Sequence, residues 1–243
     1  KKIFKIYFIT MSKHTLDYDL SLHRNKRKRK QREEEPEDEE EGPEMMENPL
    51  MDMCGFSESV TVRDNHIYFY CGVNKKNIVR LITAIRDCTQ RLRQVQNELD
   101  ISNLRIYLHI NSFGGSVFAA LAAIDTIIGN PIPILSIVEG GAASAATLIS
   151  VVCQERYITP NSFMLVHQLS SGFWGKMEEI KDEFKNLKKL MKTLTKIYKK
   201  HTSIDSSEET TVKNLLKRDL WLSAKECMKY GMVDSIEYPS FSS

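Results

Sequence analysis

The sequence lacks the cysteine pattern of a disulfide framework. Its five cysteines, Cys54, Cys71, Cys88, Cys153 and Cys227, are scattered and none forms a Cys-x-x-Cys pair. Isolated thiols in odd number argue against a zinc site as well, and predict a reducing compartment, the cytoplasm or its equivalent. Long apolar runs are also missing. None reaches the ~18 residues that cross a bilayer, so no membrane partner is expected. Charge of one sign is not in excess: 34 Lys+Arg against 32 Asp+Glu leave +2. That balance argues against a bulk polycation for nucleic acid. There is no Gly-x-Gly-x-x-Gly, no Gly-Lys-Ser/Thr and no Gly-x-Ser-x-Gly, which weakens nucleotide and α/β-hydrolase readings.

What is there begins with a local asymmetry. Seven of the nine residues Arg24–Arg32 are basic, and eight of the nine residues Glu33–Glu41 are acidic. Residues 12–48 carry few aliphatics, so burial cannot offset ordering entropy, and the composition predicts a disordered extension over 1–48. The basic block could serve as a nuclear-localisation or nucleic-acid patch. A solvated tail whose halves neutralise each other is the favoured reading. The chain opens on Lys1 rather than Met, and Met11-Ser12-Lys13 follows closely. The expectation is that residues 1–10 are upstream sequence and Met11 is the start. The opening apolar stretch is short and broken by Lys5, unlike a secretory signal.

From residue 49 the pattern is that of a folded domain running to 243. His66–Cys71 reads as a buried strand, and residues 75–98 as a helix with Ile78, Leu81, Ile82, Ile85, Leu92 and Val95 at helical spacing. Alternation follows. Arg105–Ile110 is a strand, 111–115 a tight Gly-Gly turn and Ser116–Ile128 a helix. Ile134–Val138 is a strand, Glu139-Gly140-Gly141 a second turn and Ala142–Val152 a small-residue helix. Arg156–Thr159, Phe163–His167 and Met232–Ile236 read as further strands. Such alternation implies crossover connections and an α/β fold. Residues 176–201 read as one helix of about 39 Å. Met177, Ile180, Phe184, Leu187, Met191, Leu194 and Tyr198 form a 3-4 stripe on it, fit either for its own domain or for oligomerisation. Ser206 before Glu209 and Ser223 before Glu226 have capping-box spacing, and Gly231 supplies a helix stop.

Three side chains could carry chemistry. Ser144 stands at a helix N-terminus among small residues, where unpaired N–H groups and the dipole favour negative charge. An N-cap serine is the commoner use of that position; a nucleophile is the sharper one. Six histidines are candidates for a base. His14 and His23 lie in the tail, His66 begins a strand, and His201 ends the long helix, where a cation suits the dipole. His109 interrupts an apolar strand. His167 projects from a strand end, where α/β folds assemble sites, although a hydrogen-bonded edge histidine would look the same. Asp219 follows Lys217 and Arg218 at a helix end that disfavours an acid, and an ion pair with either would also account for it. Gly114-Gly115 could present backbone N–H groups to an oxyanion.

Together these segments resemble the ClpP family of serine peptidases, the proteolytic subunit of the ATP-dependent Clp protease, from about Ile67 to Ile236. The stretch Ile106–Val117 resembles the family's strand and its Asn-Ser-Pro-Gly-Gly-Ser-Val turn. Gly140-Gly141-Ala142-Ala143-Ser144 is similar to its nucleophile motif, Gly-Gln-Ala-Ala-Ser. Pro160-Asn161-Ser162 with Met164–Gln168 resembles the segment bearing the catalytic histidine. Arg218–Ala224, with Glu226 and Tyr230–Asp234, resembles the one bearing the aspartate. Four motifs stand in the family's order.

The resemblance implies Ser144 as nucleophile, His167 as general base and then acid, and Asp219 as the group orienting His167. It implies an oxyanion hole from the backbone N–H groups of Gly115 and Ala145, with no metal and no organic cofactor. It also implies a ββα superhelix of crotonase type, with residues 176–201 as a handle between two seven-membered rings. Polypeptide substrates and a Clp-type ATPase partner would go with it. Phe113, Gly141 and Ala145 depart from the family's Pro, Gln and Met, the charged tail has no counterpart, and His109 replaces an aromatic residue. Three other readings stay open: a non-catalytic ring subunit, a viral or phage head-maturation protease of this type, and an acyl-CoA enzyme of the crotonase fold.

Overall fold

The computed structural model describes residues 60–170, 174–204, 212–217 and 219–237. The charged segment 1–48 and the Ser206–Glu209 capping box lie outside the described residues.

The described chain starts with a hairpin. Strand β1 (Val60–Arg63) pairs antiparallel with β2 (His66–Phe69) around Asp64, whose φ is 53°. The sequence reading missed β1. A left-handed φ suits Asp better than a β-branched residue, and the hairpin turn places Arg63 opposite His66. Helix α1 (Lys75–Leu99) follows. Asn74 caps it by accepting the Asn77 N–H at 2.8 Å, and Asp100 ends it in the left-handed region. Its Ile78, Leu81, Ile85 and Cys88 recur at 3- and 4-residue steps and are buried. Strand β3 (Ile106–Ser112) runs parallel to β2, and helix α2 (Val117–Ile128) starts at Ser116, which accepts the Ala119 N–H.

Strand β4 (Ile134–Ala143) corrects one expectation. The second Gly-Gly pair is not a turn; β4 runs through Glu139, Gly140 and Gly141. The strand changes partners there. Leu135–Val138 pair with β5 (Glu155–Ile158), and Gly141–Ala143 pair with β6 (Phe163–Val166), both parallel. Gly140 takes φ 76°, a bend that glycine adopts at little cost, and its N–H donates to Ser162 Oγ at 2.6 Å. The helix α3 (Ala145–Val151) is therefore shorter than expected, and Ser144 sits on the junction rather than inside it.

Helix α4 (Met177–His201) matches the long helix expected over 176–201. Lys176 leads into it with its N–H on Glu179 Oε2 at 2.8 Å. Only Leu194 and Tyr198 of this helix are buried. The N-terminal half of its stripe lies open, with Met177 68% and Phe184 58% exposed. Helix α5 (Val212–Leu216) and strand β7 (Leu220–Ser223) follow, and β7 pairs antiparallel with β6. The sequence reading placed no strand at β7, because Leu-Trp-Leu is too short a pattern to separate from a loop. Ser223 and Glu226 form the expected capping box of α6 (Ala224–Lys229), with Ser223 N–H on Glu226 Oε2 at 2.8 Å. Gly231 ends it at φ 62°; a Cβ there would sit 2.6 Å from Ser203 Oγ. The last strand, β8, shrinks to Ser235–Ile236, because Met232 and Val233 turn into the core.

The sheet order is β1-β2-β3-β4-β5-β8, with β6 joined to the far half of β4 and β7 to β6. Ile67, Phe69, Ile106, Leu108, Ile110 and Ile134 fill its covered face. Each is worth roughly 1.5–3 kcal/mol when taken from water. Arg156 ties the C-terminal parts together. Its guanidinium donates to the carbonyls of His201 and Gly231, and its Nε reaches Asp234 Oδ2 at 3.0 Å. At the α4 C-terminus Arg156 donates to the His201 carbonyl, and burial, then Lys200 and Arg156, lower the His201 imidazole pKa.

Candidate active site

Ser144 occupies the one residue between the end of β4 and the start of α3. Its backbone has φ 55° and ψ −124°, a region sparsely used by residues with a Cβ. Such a conformation costs on the order of 1–3 kcal/mol and persists only when neighbours over-determine it. The neighbours do so at both ends. The Ser144 N–H donates to Leu165 O on β6 at 2.8 Å. Its carbonyl accepts from the Thr147 N–H at 3.0 Å and from Thr147 Oγ1 at 2.6 Å. The small residues Ala142, Ala143, Ala145 and Ala146 leave no bulk in the way, and all four are buried.

His167 follows β6 directly, and Asp219 precedes β7 directly. The antiparallel register pairs Val166 with Leu220. His167 and Asp219 stand just outside that pairing, one residue after Val166 and one before Leu220. The Gln168 N–H donates to Leu216 O at 2.8 Å and fixes the chain just past His167. His167 and Ser144 line one cleft together with Gly115 and Ala145. Asp219 does not line it. Among the described residues no hydrogen bond joins Ser144 to His167, or His167 to Asp219. Catalytic hydrogen bonds are often loose without substrate and tighten with it.

Gly115 stands beside Val73. Val73 N–H donates to Gly114 O at 2.8 Å and Ser116 N–H to Val73 O at 2.7 Å. This strand-like bridge presses Gly115, at φ 143°, so close that a Cβ would lie 2.3 Å from Val73 O. A Cβ on Gly114 would lie 2.7 Å from that of Ser144. Neither the Gly115 N–H nor the Ala145 N–H is spent on a turn, loop or cap bond among the described residues. Ala145 opens α3, so its N–H has no partner inside the helix. These are the two donors an oxyanion hole requires. No group of three or more His, Cys, Asp or Glu among the described residues is placed to hold a metal.

The rest of the cleft wall is mixed: Val117 from α2, Leu148 from α3, Leu169, and Leu194 and Tyr198 from α4 are joined by the polar Gln168 and Ser170. A serine on a strained junction, a histidine across from it and paired backbone donors are what acyl transfer to a hydroxyl needs. A sequence model of the Clp protease family matches residues 64–239. The chain belongs to the Clp protease family. A Clp-family relative in Deinococcus radiodurans, an ATP-dependent Clp protease proteolytic subunit, is 35% identical over 133 residues. The aligned part covers 54% of this chain and 64% of that relative's length.

Two features of this Clp-family chain escaped the sequence reading. Phe113 and Trp221 meet edge to face with centroids 6.0 Å apart, over the bare Gly141. A larger residue at 141 would meet Trp221 first, at 3.7 Å from its Cβ, so the departures at 113 and 141 form one local arrangement. The other lies on the outer face of the sheet. His109, 1% exposed, bonds Glu139 through Nδ1 at 3.1 Å and His66 through Nε2 at 2.8 Å. The Tyr70 hydroxyl donates to the same carboxylate. Glu139 as a carboxylate only accepts, so Nδ1 carries the His109 proton and His66 donates to Nε2. Burial, with a smaller push from His66, lowers the His109 pKa to about 4. His66 is lowered by burial too, and burial raises the Glu139 carboxyl.

Proposed function

We propose that this chain is a serine endopeptidase working by Ser144, His167 and Asp219. The observation that carries the reading is the strained Ser144 sharing a cleft with His167 and with the Gly115 and Ala145 donors. Ser144 Oγ attacks a peptide carbonyl while His167 removes its proton. The carbonyl oxygen becomes an oxyanion held by the two backbone N–H groups, each such donor being worth about 10²–10³ in rate. His167 then protonates the leaving amine, and water, deprotonated by His167, hydrolyses the ester on Ser144. Asp219 keeps His167 in the tautomer and orientation this requires. No step needs a metal or an organic cofactor. The apolar part of the cleft wall, Val117, Leu148, Leu169 and Leu194, favours a substrate with an apolar side chain next to the scissile carbonyl.

Self-assembly belongs to the same proposal. The exposed Met177, Ile180 and Phe184 on α4 form an apolar stripe that copies of this chain would cover in a ring assembly. An ATPase partner is proposed from the name of the Deinococcus relative. The free, buried Cys88, Cys153 and Cys227 are in keeping with a reducing, cytoplasmic setting. The unlinked triad favours one second reading, a ring subunit that is silent until a partner aligns it. A fluorophosphonate probe separates the two. Labelling of the chain alone, mapped to the Ser144 peptide, supports the active enzyme. Labelling elsewhere, or none even with the assembled ring, rejects the proposed nucleophile.

A further inference from the structure

Two buried hydroxyls lead from the long helix to the nucleophile. Thr147 and Tyr198 lie 51 residues apart, and their oxygens are 2.6 Å apart. Thr147 Oγ1 is in turn 2.6 Å from the Ser144 carbonyl oxygen. The direction of the chain follows from donor counting. A carbonyl only accepts, so the single Thr147 proton goes to Ser144 O, and Tyr198 must donate to Thr147. Thr147 is fully buried and Tyr198 is 3% exposed. Burial also raises the Tyr198 phenol pKa, which keeps it a donor.

A threonine in a helix often returns its hydroxyl to a carbonyl a turn earlier, so the Thr147 bond alone says little. The tyrosine is what calls for a reason. A phenylalanine would fill the same space without bringing a hydroxyl into the core, where an unpaired one is costly. The ring of Tyr198 lines the cleft beside Ser144 and His167, and so does Leu194. Those two are the buried residues of α4. The place where α4 grips the domain is therefore the wall of the cleft. The Tyr198 hydroxyl extends that grip to the carbonyl of a serine held at φ 55°.

We propose that Thr147 and Tyr198 are positioning residues for Ser144, and that their hydroxyl chain makes nucleophile alignment depend on the seating of α4. The proposal rests on the peptidase reading given above. With the chain intact, the Ser144 carbonyl is held by Thr147 twice, through N–H and through Oγ1. Without the hydroxyls one hold remains, and the strained backbone is free to relax away from the attack geometry. Misplacement of this kind lowers turnover and leaves ground-state binding nearly untouched.

The test compares wild type, Ser144→Ala, Tyr198→Phe, Thr147→Val and Thr147→Ser, assembled alike. The substrate is a short fluorogenic peptide with an apolar residue at the cleaved bond. Tyr198→Phe is expected to lose about 3–10-fold in kcat, and Thr147→Val about 10–100-fold, with KM within about twofold. Fluorophosphonate labelling of Ser144 should slow in parallel. Thr147→Ser, which keeps the hydroxyl, should recover most of the kcat lost in Thr147→Val. Should Thr147→Val fail to fold, Tyr198→Phe, which deletes one oxygen, carries the test. Unchanged kcat in Tyr198→Phe overturns the proposal. So does Thr147→Ser as impaired as Thr147→Val, which would mean a packing role. Equal hydrolysis by wild type and Ser144→Ala is a separate result: it rejects the peptidase reading itself and this proposal with it.

Discussion

The backbone N–H of Ser144 donates to the carbonyl of Leu165, two residues before His167, at 2.8 Å. This bond ties the Ser144 junction to the strand that leads into His167. The second half of β4 pairs with β6 for the same reason, and β6 pairs with β7, which starts one residue after Asp219. Ser144, His167 and Asp219, far apart in sequence, thus each stand one residue beyond the end of a strand in one short run of pairing.

The proposed mechanism gives Asp219 the task of orienting His167. Asp219→Asn keeps the shape and removes the charge that this proposal needs. The expected result is an unchanged fold by circular dichroism with kcat lowered on the order of 10⁴, as in other triads. A variant close to wild type in peptide hydrolysis would take Asp219 out of the mechanism.

Gly115 should tolerate no side chain. Its φ of 143° is strained for any other residue, and a Cβ would lie 2.3 Å from the carbonyl oxygen of Val73. Gly115→Ala is expected to cost more than about 2 kcal/mol in denaturant unfolding and to impair hydrolysis, because the backbone donor must shift. Gly72→Ala is the control. Its Cβ would meet nothing nearer than 3.9 Å, so a change within about 1 kcal/mol is expected.

How much of this was legible in the sequence differs by feature. Helices α1 and α4 were readable because their apolar residues step by three and four without interruption. Ser144, His167 and Asp219 stood out through their neighbours, the small residues, the strand end and the helix end. The Gly140-Gly141 pair misled, because two glycines read as a turn while the strand continues through them. Only a change of strand partner reveals that, and partners are tertiary facts. The Thr147–Tyr198 contact was hidden for a similar reason. Tyr198 satisfied the helical stripe as a plain apolar residue, and nothing local marks a hydroxyl 51 residues from its acceptor. The one available hint was Thr147, which with Ser150 is one of two polar residues in a mostly apolar helix.

The His66–His109–Glu139 cluster sets a pH dependence. His109 binds its proton with a pKa of about 4 in the fold, against 6.5 in the unfolded chain. Below pH 6.5 the unfolded state takes up the proton first, so stability is complete above that value and is lost as pH falls toward 4. His66, also lowered, acts in the same direction. Glu139, raised from 4.5, acts in the opposite one and offsets part of the loss at the acid end. The melting temperature should therefore drop between pH 6.5 and 4.5. In His109→Phe that drop should be smaller. Parallel curves for the two proteins would show that His109 does not carry the effect.

The central claim is that Ser144 is a peptidase nucleophile. Its most direct test is hydrolysis of a short fluorogenic peptide by wild type and Ser144→Ala, purified side by side. The account predicts turnover by the wild type and none by Ser144→Ala, with both chains equally folded. Equal turnover by the two proteins would contradict it.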